Sequence, residues 1–199
     1  MTDIPIILLA AGQSRRMAGT DKLMQSVDGM PLLRRSAQTA LQVGPVIVAL
    51  PPAPHPRQDA LKGMDVVAVE IPDADEGMNA SLRGALAHVP ADAEAVMVLL
   101  ADLPEITVGD LKQVAESVQE YPNCLIWRGA TATGKPGHPV VFARPLFKEL
   151  RQLTGDEGAQ SVVQAHKNAV HLQPLPGQNA LLDLDTPEDW ARWRAGKAT

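Results

Sequence analysis

The sequence predicts a doubly wound α/β fold, a mostly parallel sheet with helices on both faces. Two observations carry that expectation. Four short runs are apolar at nearly every position rather than at alternate ones, with Glu70 the one charge among them, the pattern of strands covered on both sides. The segments between them are apolar at helical spacing and are punctuated by Pro and Gly. Alternation of this kind belongs to helices layered on a parallel sheet.

The first strand runs from Ile4 to Ala11 and is bounded by Gly12. A helix follows over Pro31 to Val43, with Pro at a first-turn position and Gly44 near its end. Val46 to Leu50 is the second strand, stopped by Pro51. Pro51, Pro52, Pro54 and Pro56 are the only low-complexity patch, too short for an inter-domain linker and read as a stiff loop. Val66 to Ile71 is the third strand. Asn79 to His88 is a helix with Leu82, Ala85 and Leu86 on one face. Ala95 to Ala101 is the fourth strand, ending at Asp102, and Thr107 to Val118 is a helix lined by Leu111, Val114, Ala115 and Val118.

The second half is less regular. Cys124 to Trp127, Pro139 to Phe142, Val170 to Leu175 and Leu181 to Leu184 read as strands. Pro145 to Leu153 and Gly158 to Lys167 read as helices, and Pro187 to Arg194 as a closing helix capped by Thr186. Neither a repeat nor a shift of composition marks a second unit, so residues 1–199 are expected to form one domain.

Charge and composition narrow the function. Asp and Glu number 23 against 18 Lys and Arg, a formal net charge of -5. A negative chain lacks the field that draws nucleic acid or anionic membrane, so neither is expected as a partner. No apolar run approaches the roughly 20 residues of a membrane span. Thr2, Asp3 and Pro5 do not open a signal segment. Cys124 is the sole cysteine, which excludes a disulfide framework or thiolate zinc site within one chain. A cytoplasmic protein is expected.

The most informative segment is Leu8 to Lys22, Leu-Leu-Ala-Ala-Gly-Gln-Ser-Arg-Arg-Met-Ala-Gly-Thr-Asp-Lys. In an open α/β sheet, ligands bind beyond the carboxyl ends of the strands. A loop of small residues there lets backbone N–H groups approach phosphate oxygens. Arg16 and Lys22 add positive charge on an otherwise negative chain. The plain alternative is a solvated turn with ordinary surface charge. G-x-G-x-x-G and G-x-x-x-x-G-K-[ST] are both absent, which disfavours a dinucleotide oxidoreductase and a P-loop enzyme.

Asp102 sits at the carboxyl end of a central strand, facing that loop. A carboxylate beside a triphosphate repels it unless a cation lies between, and carboxylate oxygens suit Mg²⁺. The alternative is a strand-end Asp capping the turn into Pro104. If Leu181 to Leu184 is a strand, Asp183 and Asp185 share one face. Asp185-Thr186-Pro187-Glu188-Asp189 is equally a good helix start.

The segment L-A-A-G-x-S-x-R-M, followed shortly by D-K-L, resembles the signature of nucleotidyltransferases with a Rossmann-like domain, and among them most closely the molybdenum cofactor nucleotidyltransferases. The resemblance continues in order through Gly77-Met-Asn-Ala-Ser81-Leu82, Ala101-Asp102-Leu103-Pro104, Gly137-His138-Pro139, Gly155-Asp156-Glu157-Gly158-Ala159 and Leu184-Asp185-Thr186-Pro187-Glu188-Asp189. It implies transfer of a nucleoside monophosphate from a nucleoside triphosphate to a phosphorylated acceptor, with release of pyrophosphate.

By that resemblance, Leu9, Ala10, Ala11, Gly12, Gly77 and Ser81 lie near the base and sugar, and Arg16 and Lys22 neutralise the triphosphate. Arg16, Lys22 and Asp102 would carry catalysis, and Asp102 and Asp185 would hold Mg²⁺. The nucleotide half would span about residues 1–105 and the acceptor half about 106–199, with Lys135, His138 and Asp156 on the acceptor side. The family often has a basic residue where this chain has Gln160. Ala10-Ala11-Gly12 looks like the cytidylyltransferase branch, whereas the spacing from Met17 to Asp21-Lys22 looks like the guanylyltransferase branch; CTP is the preferred expectation over GTP. Molybdopterin is the implied acceptor, with molybdoenzymes or their chaperones as further partners. The rivals are a transferase for a sugar phosphate or methylerythritol phosphate, a nucleotide-binding regulator without turnover, and a partner-binding scaffold.

Overall fold

The computed structural model describes residues 4–197, so Thr2 and Asp3 lie outside the described residues. The first half alternates strand and helix: β1 (Ile6–Leu9), the small pair β2 (Ser26–Val27) and β3 (Met30–Pro31), α1 (Leu32–Leu41), β4 (Val46–Leu50), α2 (Pro56–Ala60), β5 (Val66–Glu70), α3 (Met78–Leu86) and β6 (Ala95–Leu100). The second half holds α4 (Val108–Glu120), β7 (Ile126–Ala130), β8 (Pro136–Ala143), α5 (Phe147–Leu150), α6 (Gln160–Ala165), β9 (Val170–Pro174) and α7 (Pro187–Lys197).

Seven strands form one sheet in the order β5-β4-β1-β6-β8-β7-β9. Only β8 runs against its neighbours; the other ladders are parallel. The apolar runs of β1, β4 and β6 have the expected cause, whereas edge strand β5 leaves Val67 and Ala68 exposed. Ile6, Leu8 and Ala10 face a core with α1, α4 and α7, while Ile7, Leu9 and Ala11 face a second core with α3, α5 and α6. Side-chain caps set the starts of α4 and α7. Thr107 and Asp110 form a reciprocal capping box at α4. Thr186 Oγ1 accepts from Asp189 N at 3.1 Å while Asp189 Oδ2 accepts from Thr186 N at 3.0 Å, the same device at α7.

Chain order places the site. From β1 the sheet grows outward through β4 and β5, then returns to the other side of β1 with β6. That reversal opens a crevice at the carboxyl ends of β1 and β6, where Leu9 lies level with Leu100.

Other features depart from the sequence expectation. The proline patch read as a stiff loop ends in a short helix, α2, with Pro56 in its first turn. Leu181 to Leu184 is not a strand. Its amides are satisfied locally, Leu181 N and Leu182 N by Gln178 O and Asp183 N by Leu181 O, and Leu184 N reaches Asp102 O at 3.3 Å. With β8 already paired on both edges, no ladder is open to it there, and the segment crosses the sheet end instead. The strand expected at Cys124 to Trp127 begins two residues later, at Ile126. The β2–β3 pair was not expected; its signal was Asp28-Gly29, whose positive φ values of 50° and 83° suit a tight hairpin.

Gly137 marks where the 178–185 segment presses on β8. A Cβ there would lie 2.0 Å from the backbone oxygen of Ala180, which itself accepts from His138 N at 2.8 Å. Gly137→Ala should therefore destabilise the protein by more than about 2 kcal/mol in urea unfolding. An unchanged midpoint would show that the crossing segment yields without cost.

Candidate active site

The loop from Ala10 to Asp21 leaves β1 at the crevice. Ala10 N still bonds Ala49 O at 3.0 Å, so the loop starts from a fixed point. Beyond it the backbone turns through positive φ at Ser14 and Ala18. A buried side chain from α2 holds these turns: Arg57, 2% exposed, donates to Ala10 O at 2.6 Å, Gly12 O at 2.8 Å and Ser14 Oγ at 3.2 Å. It also grips both carboxylate oxygens of Asp21, at 2.7 and 2.8 Å. Burial acts to raise the Asp21 carboxyl, but Arg57, the Leu23 N–H and Ser14 together hold it below the usual carboxylate range.

Lys22 follows directly and begins a 3-10 turn whose cap is Asp21. Its ammonium is paired with Asp102 and lies 2.6 Å from Asp185 Oδ1. Arg16, largely exposed, reaches Asp185 Oδ2 at 2.5 Å. Burial works against charge on Lys22, but Asp102 and Asp185 outweigh it and raise its pKa, so the ammonium is permanent at neutral pH. Burial likewise works against charge on Asp185, and Lys22, Asp183 and Arg16 draw it below the ordinary value.

Carboxylate oxygens of Asp102, Asp183 and Asp185 lie within 4.8 Å of one another. Desolvation, then a hydrogen bond with Asp185 and the Asp185 and Asp102 charges, push the Asp183 carboxyl up to about 6. Asp102 Oδ1 is buried with no hydrogen-bond partner. A set of hard oxygen donors with one unpartnered oxygen fits Mg²⁺ or Mn²⁺ rather than a soft metal.

Arg16, Lys22, Asp102 and Asp185 share one cleft of about 310 Å³, with Asp183 outside its lining. Its lining includes Leu9, Ala10, Ala11, Gly12, Arg16, Lys22, Gly77, Ser81, Asp102, Asp156 and Asp185, all singled out in the sequence. Gly77 has φ 115°, and a Cβ on it would meet Asp156 Oδ1 at 2.5 Å. That oxygen accepts from Met78 N at 2.7 Å, so Asp156 caps α3 while facing the cleft. Gln13 bonds Asp75 across the lining.

His138 and Lys135 are placed differently. Neither is among the cleft-lining residues. Lys135 is exposed in the turn before β8. The His138 ring bonds the Val98 backbone, and its Nδ1 is buried without a partner. Sequence reading missed Arg57 and did not assign Asp183. A single Arg after a proline patch carries no pattern, whereas Asp183 stands two residues from Asp185 and could have been included.

Comparison with known proteins gives consistent relatives. The family described as MobA-like NTP transferase domain matches residues 6–170. A molybdenum cofactor guanylyltransferase from Cereibacter sphaeroides is 30% identical, covering 94% of this chain and 93% of its own. A phosphoenolpyruvate guanylyltransferase from Thermobaculum terrenum is 27% identical, covering 94% of this chain and 79% of its own. Among solved structures, Rv0371c from Mycobacterium tuberculosis H37Rv superposes with a TM-score of 0.80 at 33% identity, covering 96% of this chain and 98% of that one. A complex of Rv0371c with manganese superposes at 0.76 and 32% identity, covering 96% and 97%. Among the described residues, no helix is long and apolar enough to cross a membrane.

Burial, and then the Arg128 charge, push the His138 imidazole down to about 4 from 6.5, so it is neutral in the folded protein at neutral pH. Between those values the unfolded chain binds a proton there that the folded chain does not, so stability rises with pH across the window. At about 1.4 kcal/mol per pH unit, that is worth up to about 3 kcal/mol. Unfolding free energy measured from pH 4 to 6.5 should rise less in His138→Gln than in the wild type by that order. Equal slopes would contradict the placement.

Proposed function

The chain belongs to the MobA-like NTP transferase domain family and is a nucleotidyltransferase, and from that premise we propose guanylyl transfer from GTP to a phosphorylated acceptor, with molybdopterin the first candidate. The observation that carries the reading is the convergence of Lys22, Arg16, Asp102 and Asp185 in one cleft at the β1–β6 crevice. Guanine is favoured over the cytosine expected from sequence because relatives that span nearly the whole chain are named for guanylyl transfer. Cytidylyl transfer is the second reading, supported by the Ala10-Ala11-Gly12 form, which looks like the cytidylyltransferase branch. The two relatives differ in the acceptor their names state, which keeps a different small phosphate as the rival to molybdopterin. Molybdoenzymes or their chaperones are the proposed recipients of the product.

The reaction in this reading is an in-line displacement. A phosphate oxygen of the acceptor attacks the α-phosphorus, and the bond to the bridging oxygen of the β-phosphate breaks, that oxygen leaving with the electron pair on pyrophosphate. The attacking phosphate is already ionised at neutral pH, so no general base is needed. The protein's part is positioning and charge stabilisation. Lys22 serves as a fixed cation, because its two carboxylate partners keep it protonated. Arg16, with an exposed head paired to Asp185, adds charge at the cleft mouth. Ala10, Ala11, Gly12, Leu9, Gly77 and Ser81 are the proposed walls for base and sugar. Asp102, Asp185 and the neighbouring Asp183 would hold a divalent cation, which when bound neutralises phosphate charge. Asp156 is the proposed acceptor-side contact, and His138 a support for the strand end that carries Asp102. The nucleotide half is thus proposed to lie within about residues 1–105, with Asp185 contributed from the remainder.

Lys22→Ala and Asp102→Asn should each lower kcat/KM for pyrophosphate release by about 10²-fold or more. Near-wild-type turnover in either would overturn the mechanism. In a thermal-shift panel of GTP, CTP, UTP and ATP with Mg²⁺, GTP should raise the midpoint most. A larger shift with CTP would replace the first reading by the second, and no shift with any nucleotide would refute both. Strong triphosphate binding with no pyrophosphate release for any phosphorylated acceptor would point to a regulator instead.

A further inference from the structure

The nucleotide loop is held from outside itself. Arg57 has five N–H groups and uses all of them: Nη1 on Ala10 O and Gly12 O, Nη2 on Ser14 Oγ and Asp21 Oδ1, Nε on Asp21 Oδ2. The guanidinium is 2% exposed, and it is not among the groups that line the cleft. Its contacts nonetheless fix what the cleft presents.

A planar trans peptide points its C=O and the following N–H in opposite directions. Arg57 draws the carbonyls of Ala10 and Gly12 to itself, so the N–H groups of Ala11 and Gln13 point away from it. Ala11 and Gln13 both line the cleft, and among the described residues neither N–H has a hydrogen-bond partner. Unpaired amides beside Lys22 are donors suited to phosphate oxygens. The second arm of the bracket reaches Lys22 itself. Asp21, clamped by Arg57, accepts from Leu23 N at 3.0 Å and from Ser14 Oγ at 3.2 Å, and Ser14 Oγ accepts from Lys22 N at 3.2 Å. One side chain therefore orients both the loop amides and the start of the turn that carries the Lys22 ammonium.

We infer that Arg57 is a positioning residue that aims the Ala11 and Gln13 amides and the Lys22 ammonium at the triphosphate of the nucleotide. This rests on the nucleotide reading above. Lysine cannot replace it: an ammonium has three donors in a tetrahedral fan and cannot reach four acceptor groups spread across one plane.

The test is equilibrium binding without acceptor, using GTP against GMP and CTP against CMP with Mg²⁺, well below each variant's unfolding midpoint. Arg57→Lys should lose at least tenfold in triphosphate affinity and a smaller factor, under about threefold, in monophosphate affinity, because the same loop also walls the base and sugar. Asp21→Asn, which spares the Arg57 bonds to the loop carbonyls, should lose triphosphate affinity by a smaller factor of about three, and it carries the test if Arg57→Lys does not fold. In turnover, the KM for nucleotide should rise and the KM for acceptor should not. Equal losses for triphosphate and monophosphate, or triphosphate affinity within twofold of wild type in the folded variants, would overturn the inference and leave the nucleotide reading standing. A wild-type protein that binds no triphosphate would overturn both.

Discussion

A single ammonium, that of Lys22, ties together parts of the chain that are far apart in sequence. It meets Asp102 from the end of β6 and Asp185 from the segment before α7, with Arg16 closing on Asp185 from the loop itself. Charges taken out of water in this way are tolerated only when they are paired. The cluster carries two cations against three carboxylates, counting Asp183, and leaves one carboxylate oxygen without a partner. Such a site is nearly neutral by itself yet holds an acidic side for a divalent cation and a basic side for phosphate. Its components are already gathered, and Lys22 has to release Asp102 and Asp185 for a metal to take their oxygens and for the ammonium to meet phosphate.

The fold supplies the rest by geometry. Reversal of strand order at β1 leaves room beyond its carboxyl end, and small residues fill the first turn of the loop there. The loop would be floppy if its carbonyls were left to water. Arg57 satisfies them in a buried setting and thereby commits their amides to the other side. On the far wall, α3 begins at Gly77, where only a residue without Cβ leaves Asp156 room to cap the helix. The distorted segment 178–185 completes the ring, because its failure to join the sheet is what carries Asp183 and Asp185 over the strand ends to Asp102.

Local pattern revealed the first half well. The runs at β1, β4 and β6 became strands buried on both faces, whereas the run at Val66 became an edge strand with Val67 and Ala68 exposed, and Val46 to Leu50 matches its element residue for residue. Asp102 was legible because an acid at the end of a buried strand has few structural reasons to be there. The second half was harder for a physical reason: Leu181 to Leu184 has strand-like composition, but whether it pairs depends on which edges are free, a property of the whole sheet. Arg57 was illegible for a related reason. Its role is set by four acceptors distant in sequence, all of them in a loop whose own residues say nothing about what lies beneath. His138 shows the opposite error, a loop histidine in a suggestive tripeptide whose ring turns inward to the Val98 backbone.

The most direct measurement is a crystal structure of the protein with Mn²⁺ and a non-hydrolysable guanosine or cytidine triphosphate, with anomalous scattering locating the metal. The account predicts a manganese peak bonded to oxygens of Asp102 and Asp185, with the phosphates against Lys22 and the Ala11–Gln13 backbone. A triphosphate bound elsewhere, or manganese on other carboxylates with Lys22 still closed on Asp102, would contradict it.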